Sequence, residues 1–319
     1  MDSMNLQRNS GKKGEALIID VHSHLGDILY PGGGNLIDQK GVRMEKIRDP
    51  QQDNEKLLMR NFGLGKIFYY ILLKQATRAQ RARNRIATLE NMRSSMEEAG
   101  VSYTVCLPIA PNVTFDDLAQ AAKVENRIIP FTSVDFSREL DVGRKLAQDV
   151  SQGAEGLKLH AIIQRVPLHD RRTMDAVQVF SQFQKPVLVH AGKSHYYLDD
   201  ESERNAPENG NISHVEELVR SFPNVRFIVG HAGLFWQDQV RKKLGDCKNV
   251  WVDTSFQSPG VIRKLIKTFG ADHVMYASDW PWGSRLPHIK TVRAACRGDR
   301  ELEKRIFCQN AARLLGMDV

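Results

Sequence analysis

Two histidines close an apolar run near the start of the chain: Ile18-Ile19-Asp20-Val21-His22-Ser23-His24. In an extended strand alternate side chains share a face. Simple alternation therefore puts Asp20, His22 and His24 on one side and Ile19 and Val21 on the other. Neutral imidazoles paired in this way are good ligands for zinc and its neighbours. A lone histidine would read as a packed or solvated residue, but this one has company. Lys158 and His160 end Gly-Leu-Lys-Leu-His, His190 sits in Val-His-Ala-Gly and His231 in Gly-His-Ala-Gly. Asp253 ends Val-Trp-Val-Asp, and Asp279 lies in Ala-Ser-Asp-Trp-Pro-Trp. Metal ligands drawn from separate segments leave a coordination position open, as catalytic zinc sites do.

Those segments must converge, and the chain has a pattern that would make them do so. Short apolar runs over residues 16–24, 101–107, 128–134, 156–160, 186–190, 225–230, 250–254 and 274–278 read as strands. Between them, helical spacing covers 78–99, 114–126, 138–151, 171–184, 215–222, 237–244 and 260–269, and a loop then leads to a closing helix over 300–315. Thr114, Asp170 and Ser213 are the expected N-caps. Alternating strands and helices imply parallel βαβ units. Pro186-Val-Leu-Val189 and Phe227-Ile-Val229 are apolar on both faces, as strands covered by helices are. Eight such units favour an α/β fold of the (β/α)8 TIM-barrel kind, one domain over 1–319, with chemistry at the C-terminal ends of the strands. An open doubly wound sheet is the alternative, weakened because no Gly-x-Gly-x-x-Gly follows the first strand.

Residues 1–15 read as a disordered leader, and residues 26–77 as an insertion after strand 1. The insertion opens with Pro31-Gly32-Gly33-Gly34, which lacks the Lys-Ser/Thr of a phosphate-gripping loop and is expected to be a lid hinge or plain loop. Stretches 55–59 and 67–73 are expected as short helices. Phe62, Phe68, Tyr69 and Tyr70 give the insertion an apolar side that covers a pocket or meets a second subunit, which makes a homodimer plausible.

The net charge of +7 over 319 residues is spread along helical stretches, so solvated helix faces account for it and a nucleic-acid partner ranks last. Cys106, Cys247, Cys296 and Cys308 form no Cys-x-x-Cys pair. A reducing, cytoplasmic setting is the expectation. The run 67–73 is too short to span a bilayer, so no membrane partner is expected.

With these residues in place, the chain resembles the amidohydrolase superfamily, in the branch related to aminocarboxymuconate-semialdehyde decarboxylase and similar TIM-barrel hydrolases. The resemblance rests on Asp20-x-His22-x-His24, Gly156-Leu-Lys-Leu-His160, Val189-His190-Ala-Gly, Gly230-His231-Ala-Gly, Tyr276-Ala-Ser-Asp279-Trp-Pro and Asn310-Ala-Ala-Arg313-Leu-Leu-Gly316, which span nearly the whole chain. It implies that His22, His24, His190 and Asp279 hold one divalent metal, expected to be zinc. It also implies that His231 is the catalytic histidine, with Asp279 both ligand and base. A water on such an ion would ionise with a pKa of about 7 against about 15.7 in bulk.

Lys158 is awkward, because an ammonium about 6 Å from a doubly charged ion costs roughly 5 kcal/mol at an effective dielectric near 20. It is expected to be neutral, paired with Asp20 or a substrate carboxylate, or carboxylated to bridge a second metal as in binuclear relatives. The favoured reading has one metal, with Lys158 or His160 near the substrate. Arg165, Lys193, His195, Tyr196, Trp236, Trp280 and Arg285 follow strands and are the weaker candidates for contact with a small, anionic substrate. Three functions compete. The favoured one is a metal-dependent hydrolase whose metal-bound hydroxide attacks an amide, ester or lactone. The others are a non-oxidative decarboxylase of an aromatic or unsaturated acid at the same site, and a metal-binding scaffold without turnover.

Overall fold

The computed structural model describes residues 17–60, 63–138 and 141–318. The leader and Phe62 lie outside the described residues. Strands β1 (Ile19–Ser23), β2 (Tyr103–Cys106), β3 (Ile128–Pro130), β4 (Leu157–Leu159), β5 (Val187–Val189), β6 (Phe227–Val229), β7 (Val250–Asp253) and β8 (Val274–Met275) pair in parallel, in sequence order. A bridge from Thr132 to Leu157 links β3 to β4, and one from Ser23 to Trp280 links the ends of β1 and β8. The Asp279 N–H also donates to the His22 carbonyl at 2.9 Å, so the sheet closes into the TIM barrel.

The helices are α1 (Pro50–Lys56), α2 (Gly65–Ile71), α3 (Leu73–Asn84), α4 (Leu89–Ala99), α5 (Phe115–Val124), α6 (Val142–Ser151), α7 (Arg171–Phe180), α8 (Ile212–Ser221), α9 (Gln237–Leu244), α10 (Pro259–Phe269), α11 (Arg285–Cys296), α12 (Arg300–Lys304) and α13 (Asn310–Leu315). Several differ from expectation: the short helix expected over 55–59 runs Pro50–Lys56, and a π-helical turn over Arg305–Gln309 divides the closing helix expected over 300–315 into α12 and α13. The helix expected over 78–99 is two, because Thr88 caps α4 by accepting from the Asn91 N–H and breaks the run. Helix α8 is capped by Asn211, which accepts from the Ser213 N–H, so Ser213 is the second residue of the helix and not its cap. Helix α11 was expected as loop. Pro287 falls in its first turn, where no intrahelical N–H is lost.

Apolar side chains divide between two layers. Ile19, Val21, Val105, Ile129, Leu188, Ile228 and Met275 fill the barrel interior, joined by Ala311, Ala312 and Leu314 of α13. That helix therefore plugs the N-terminal mouth, and the opposite mouth is left for the site. The larger cluster, including Met92, Leu146, Phe180, Val215 and Val292, lies between the strands and their helices.

Strand β1 is not a simple alternation. Asp20 pairs with Thr104 and Ser23 with Cys106, so three steps of β1 oppose two of β2. This bulge resets the faces. Asp20 and Ser23 point outward to the guanidinium of Arg285, at 3.1 Å each, while His22 and His24 point to the barrel mouth.

The β1–β2 connection is held to the barrel rim. The Arg83 guanidinium is buried and donates to Asp49 (2.6 Å), to both oxygens of Glu55 (3.1 and 3.3 Å) and to the Trp282 carbonyl (3.1 Å). Glu55 in turn accepts from the Ser284 N–H at 2.9 Å. The glycine run is a packed turn and not an open hinge. The Gly33 carbonyl accepts from Asp27, and a Cβ on Gly33 would lie 1.8 Å from the Asp27 carbonyl oxygen. On α2, Tyr69 faces inward, while Ile67, Phe68 and Ile71 stay exposed.

Candidate metal centre and active site

The strand ends bring His22, His24 and Asp279 together. The Asp279 Oδ1 lies 3.4 Å from the Nε2 of each histidine. Each imidazole is fixed from behind. His22 Nδ1 meets Asp253 Oδ2 at 2.8 Å, and His24 Nδ1 meets the Leu107 carbonyl at 2.8 Å. Both partners are acceptors only, so each Nδ1 carries the proton and each Nε2 presents a lone pair to Asp279. Burial, then the nearby Lys158, holds both imidazoles far below their usual pKa. The contact between His22 and Asp253 is thus a hydrogen bond from a neutral ring, not an ion pair.

Two imidazole nitrogens and a carboxylate oxygen converge here, and the one cation beside them, Lys158, reaches His22 Nε2 alone, at 3.3 Å. Asp279 Oδ1 is buried and has no hydrogen-bond partner, and burial pushes its carboxyl well above the usual carboxylate range. A divalent cation would satisfy all three atoms at once, and the donor set of two imidazoles and one carboxylate suits it. A second grouping, His22, His231 and Asp253, also lies close. There the carboxylate is already engaged. Besides His22 it accepts from the His231 N–H (2.9 Å), the Ser255 N–H (3.0 Å) and the Ser255 hydroxyl (2.6 Å). We read that grouping as a hydrogen-bonded support.

His231 stacks on His22, with centroids 4.6 Å apart. Its Nδ1 is 2.8 Å from Ser255 Oγ and 3.8 Å from Asp279 Oδ2. Because the Ser255 proton goes to Asp253, its oxygen accepts from His231 Nδ1–H, which leaves Nε2 of His231 as the basic atom. The backbone is left-handed at His231 (φ 57°) and at Asp279 (φ 56°), a conformation that non-glycine residues adopt at a cost. Asp253 holds the His231 N–H, and Gln257 Nε2 donates to the His231 carbonyl at 2.6 Å.

His190 lines the same cavity but stands outside the trio. Its Nε2 faces the Gly192 carbonyl at 3.1 Å, and its ring stacks on His160 at 4.1 Å. Lys158 is fully buried, with Nζ 3.3 Å from His22 Nε2. Burial lowers its pKa to about 8, against the attraction of Asp279 and Asp253. It does not pair with Asp20, which the β1 bulge turns to the other face. His160 Nδ1 accepts from the Ile163 N–H at 3.3 Å, so its Nε2–H donates to Tyr196 Oη at 3.2 Å. Burial raises the Tyr196 phenol well above its usual pKa, so it remains a donor beside the cavity.

The outer candidates separate clearly. Lys193 lines the cavity, paired with Glu208 at 2.5 Å. Arg165 opens onto a different, smaller cavity with Arg172 and Arg204. His195 sits behind the wall, its N–H near Tyr69 Oη at 3.2 Å, and Trp236 lies under the Lys66 ammonium at 4.6 Å. Trp280 and Arg285 are buried away from the cavity. The Arg285 guanidinium stacks over the Trp280 ring at 5.1 Å and donates to Asp20, Ser23 and Thr104. A position just after a strand suggested substrate contact for these two. Helix α11 instead turns Arg285 inward, where the buried Asp20 requires a partner. Sequence reading placed Asp253 at a strand end without assigning it a partner, and it passed over Ser255. Their signal is the short Asp253-Thr-Ser255 run at the end of β7.

The amidohydrolase family profile matches residues 19–317. The chain belongs to the amidohydrolase family. No curated protein matches this amidohydrolase at a significant level. Solved structures share its fold at low identity. A 5-carboxyvanillate decarboxylase from Sphingomonas paucimobilis is 14% identical with a TM-score of 0.63, covering 95% of this chain and 100% of that one. Its counterpart from Novosphingobium aromaticivorans, complexed with manganese and 4-hydroxy-3-methoxy-5-nitrobenzoic acid, is 16% identical with a TM-score of 0.65, covering 96% and 98%. A probable 2-pyrone-4,6-dicarboxylic acid hydrolase from Acinetobacter baumannii is 13% identical with a TM-score of 0.57, covering 94% and 99%. No described helix is long and apolar enough to cross a membrane.

Proposed function

We propose that this amidohydrolase is a divalent-metal-dependent decarboxylase of an aromatic carboxylic acid, with His22, His24 and Asp279 as ligands and His190 as a further ligand or a wall of the same site. The observation that carries the metal assignment is the orphaned Asp279 oxygen facing the Nε2 atoms of His22 and His24. Hydrolysis was the favoured reading of the short motifs. The decarboxylase alternative is now preferred, because named neighbours act on 5-carboxyvanillate and 2,6-dihydroxybenzoate. Hydrolysis stays as the second reading because of the pyrone dicarboxylic acid hydrolase neighbour. The sequence favoured zinc. A manganese-bound neighbour makes manganese an equal candidate.

When bound, the cation held by His22, His24 and Asp279 would supply Lewis acidity toward the substrate carboxylate. The protein's own groups do the rest. Ile28, Met59, Leu234 and Phe256 give the cavity apolar walls suited to a ring. The Tyr196 hydroxyl donates to a ring oxygen. His231 Nε2 or Asp279, first protonated from the substrate hydroxyl or from solvent, passes that proton to the ring carbon that carries the carboxylate. The C–C bond pair stays on the ring, forms the new C–H bond and releases carbon dioxide. The test is carbon dioxide release from hydroxybenzoate and carboxyvanillate panels, set against acid release from pyrone lactones and esters. Carbon dioxide from the acids is the expected result. Acid release from the lactones alone would replace the reading with hydrolysis.

A further inference from the structure

The cavity above the trio has a volume of about 710 Å³. That is within the range that encloses drug-sized ligands and more than a single-ring acid fills. Exposure sorts its lining. His24, His160, His190, His231 and Asp279 are buried at the floor, while Arg60, Lys66 and Lys264 are exposed and Arg263 half-buried at the mouth. None of these four cations has an ion-pair partner among the described residues. By contrast, Lys193 is paired with Glu208, and the mouth's one acidic group, Asp238, is held by Arg241, with the Lys264 charge also acting on it.

Arg263 and Lys264 belong to the first turns of α10, and its cap Ser258 and residues Pro259 to Val261 line the cavity with them. Ser258 Oγ takes the Val261 N–H, and helix geometry leaves the Gly260 N–H without an intrahelical acceptor. An Arg263 Nη2 atom lies 4.0 Å from where a Cβ on Gly260 would stand, so the guanidinium folds back over this turn. From the α2 side, Lys66 lies over the Trp236 ring. Positive charge from two elements thus lines the exposed part of the cavity, and the metal-type site its buried floor.

We propose that the substrate carries a second anionic group, a carboxylate or a phosphate, received at the mouth by Arg263, Lys264 and Lys66 and remote from the carboxylate held at the floor. This rests on the reading of the floor as a carboxylate site and extends it to a two-ended, doubly anionic substrate. Calorimetry on the metal-reconstituted full chain at low salt tests it with three probes. These are biphenyl-4-carboxylate, biphenyl-4,4′-dicarboxylate and 4′-phosphonobiphenyl-4-carboxylate.

The wild type should prefer one of the doubly charged probes by about tenfold, the scale of two partly screened ion pairs. Whichever it prefers identifies the outer group as carboxylate or phosphate. The preference should collapse to within about twofold in R263Q/K264Q and return in R263K/K264R, which guards against misfolding. No preference in the wild type, or one that survives R263Q/K264Q, overturns the proposal. Carbon dioxide release is scored separately, so failure of the reaction reading does not alter the affinity ratio.

Discussion

Asp253→Asn isolates the group that sets both histidine tautomers. The carboxylate accepts on one oxygen from His22 Nδ1 and on the other from two backbone N–H groups and a hydroxyl. A carboxamide cannot serve both sides. If its oxygen stays toward His22, the NH2 confronts the His231 and Ser255 N–H groups. Each buried N–H left without an acceptor costs about 1–3 kcal/mol. If the amide turns, its NH2 faces His22 Nδ1. That nitrogen must then be the bare one, and the proton moves to Nε2, the atom directed at Asp279. The second arrangement is cheaper for the fold and worse for the site. Metal affinity should therefore fall by about 10–100-fold, or about 1.4–2.8 kcal/mol, as for other lost partners of metal-bound histidines. Competition with a chromophoric chelator, zinc and manganese in turn, measures it on apo-protein beside a thermal melt. Affinity within twofold of wild type at an unchanged melting temperature would refute the tautomer argument.

Three further outcomes follow from buried charge. Arg285→Met strands Asp20 in the core and should cost about 3–5 kcal/mol in denaturant unfolding, where a role in substrate binding would instead raise KM at constant stability. Arg83→Met leaves Asp49 and Glu55 without their cation and should lower stability by a similar amount, about 3–5 kcal/mol, read in the same unfolding assay. Lys158 sets a pH dependence. Its folded pKa of about 8 is below the ordinary 10.5, so between these values the unfolded chain binds the extra proton and stability rises with pH. Metal-free protein should gain up to about 3 kcal/mol from pH 8 to 10.5 relative to Lys158→Met, and equal slopes for the two proteins would contradict it.

The barrel was legible in the sequence because its strands are short, apolar and regularly separated by amphipathic helices, and because histidine and aspartate recur at their ends. What escaped depends on contacts distant in sequence. Alternation placed Asp20 beside His22, but the bulge is fixed by pairing with β2, which β1 alone does not encode. Arg285 and Trp280 looked like rim residues until α11 placed the guanidinium against Asp20. Pro281, Gly283 and Pro287 had hidden that helix. Asp253 gained a role only when β7 met β1 and its carboxylate met His22. The cations of α10 and α2 read as solvated helix faces, since nothing local shows that the two elements frame one opening.

The most direct test of the account is the metal content of the purified chain, by mass spectrometry, for wild type, His22→Gln and Asp279→Asn, each with folding verified by circular dichroism. The trio predicts about one equivalent of a divalent metal in wild type and its loss in both folded variants. Metal retained at wild-type stoichiometry in either folded variant would contradict it.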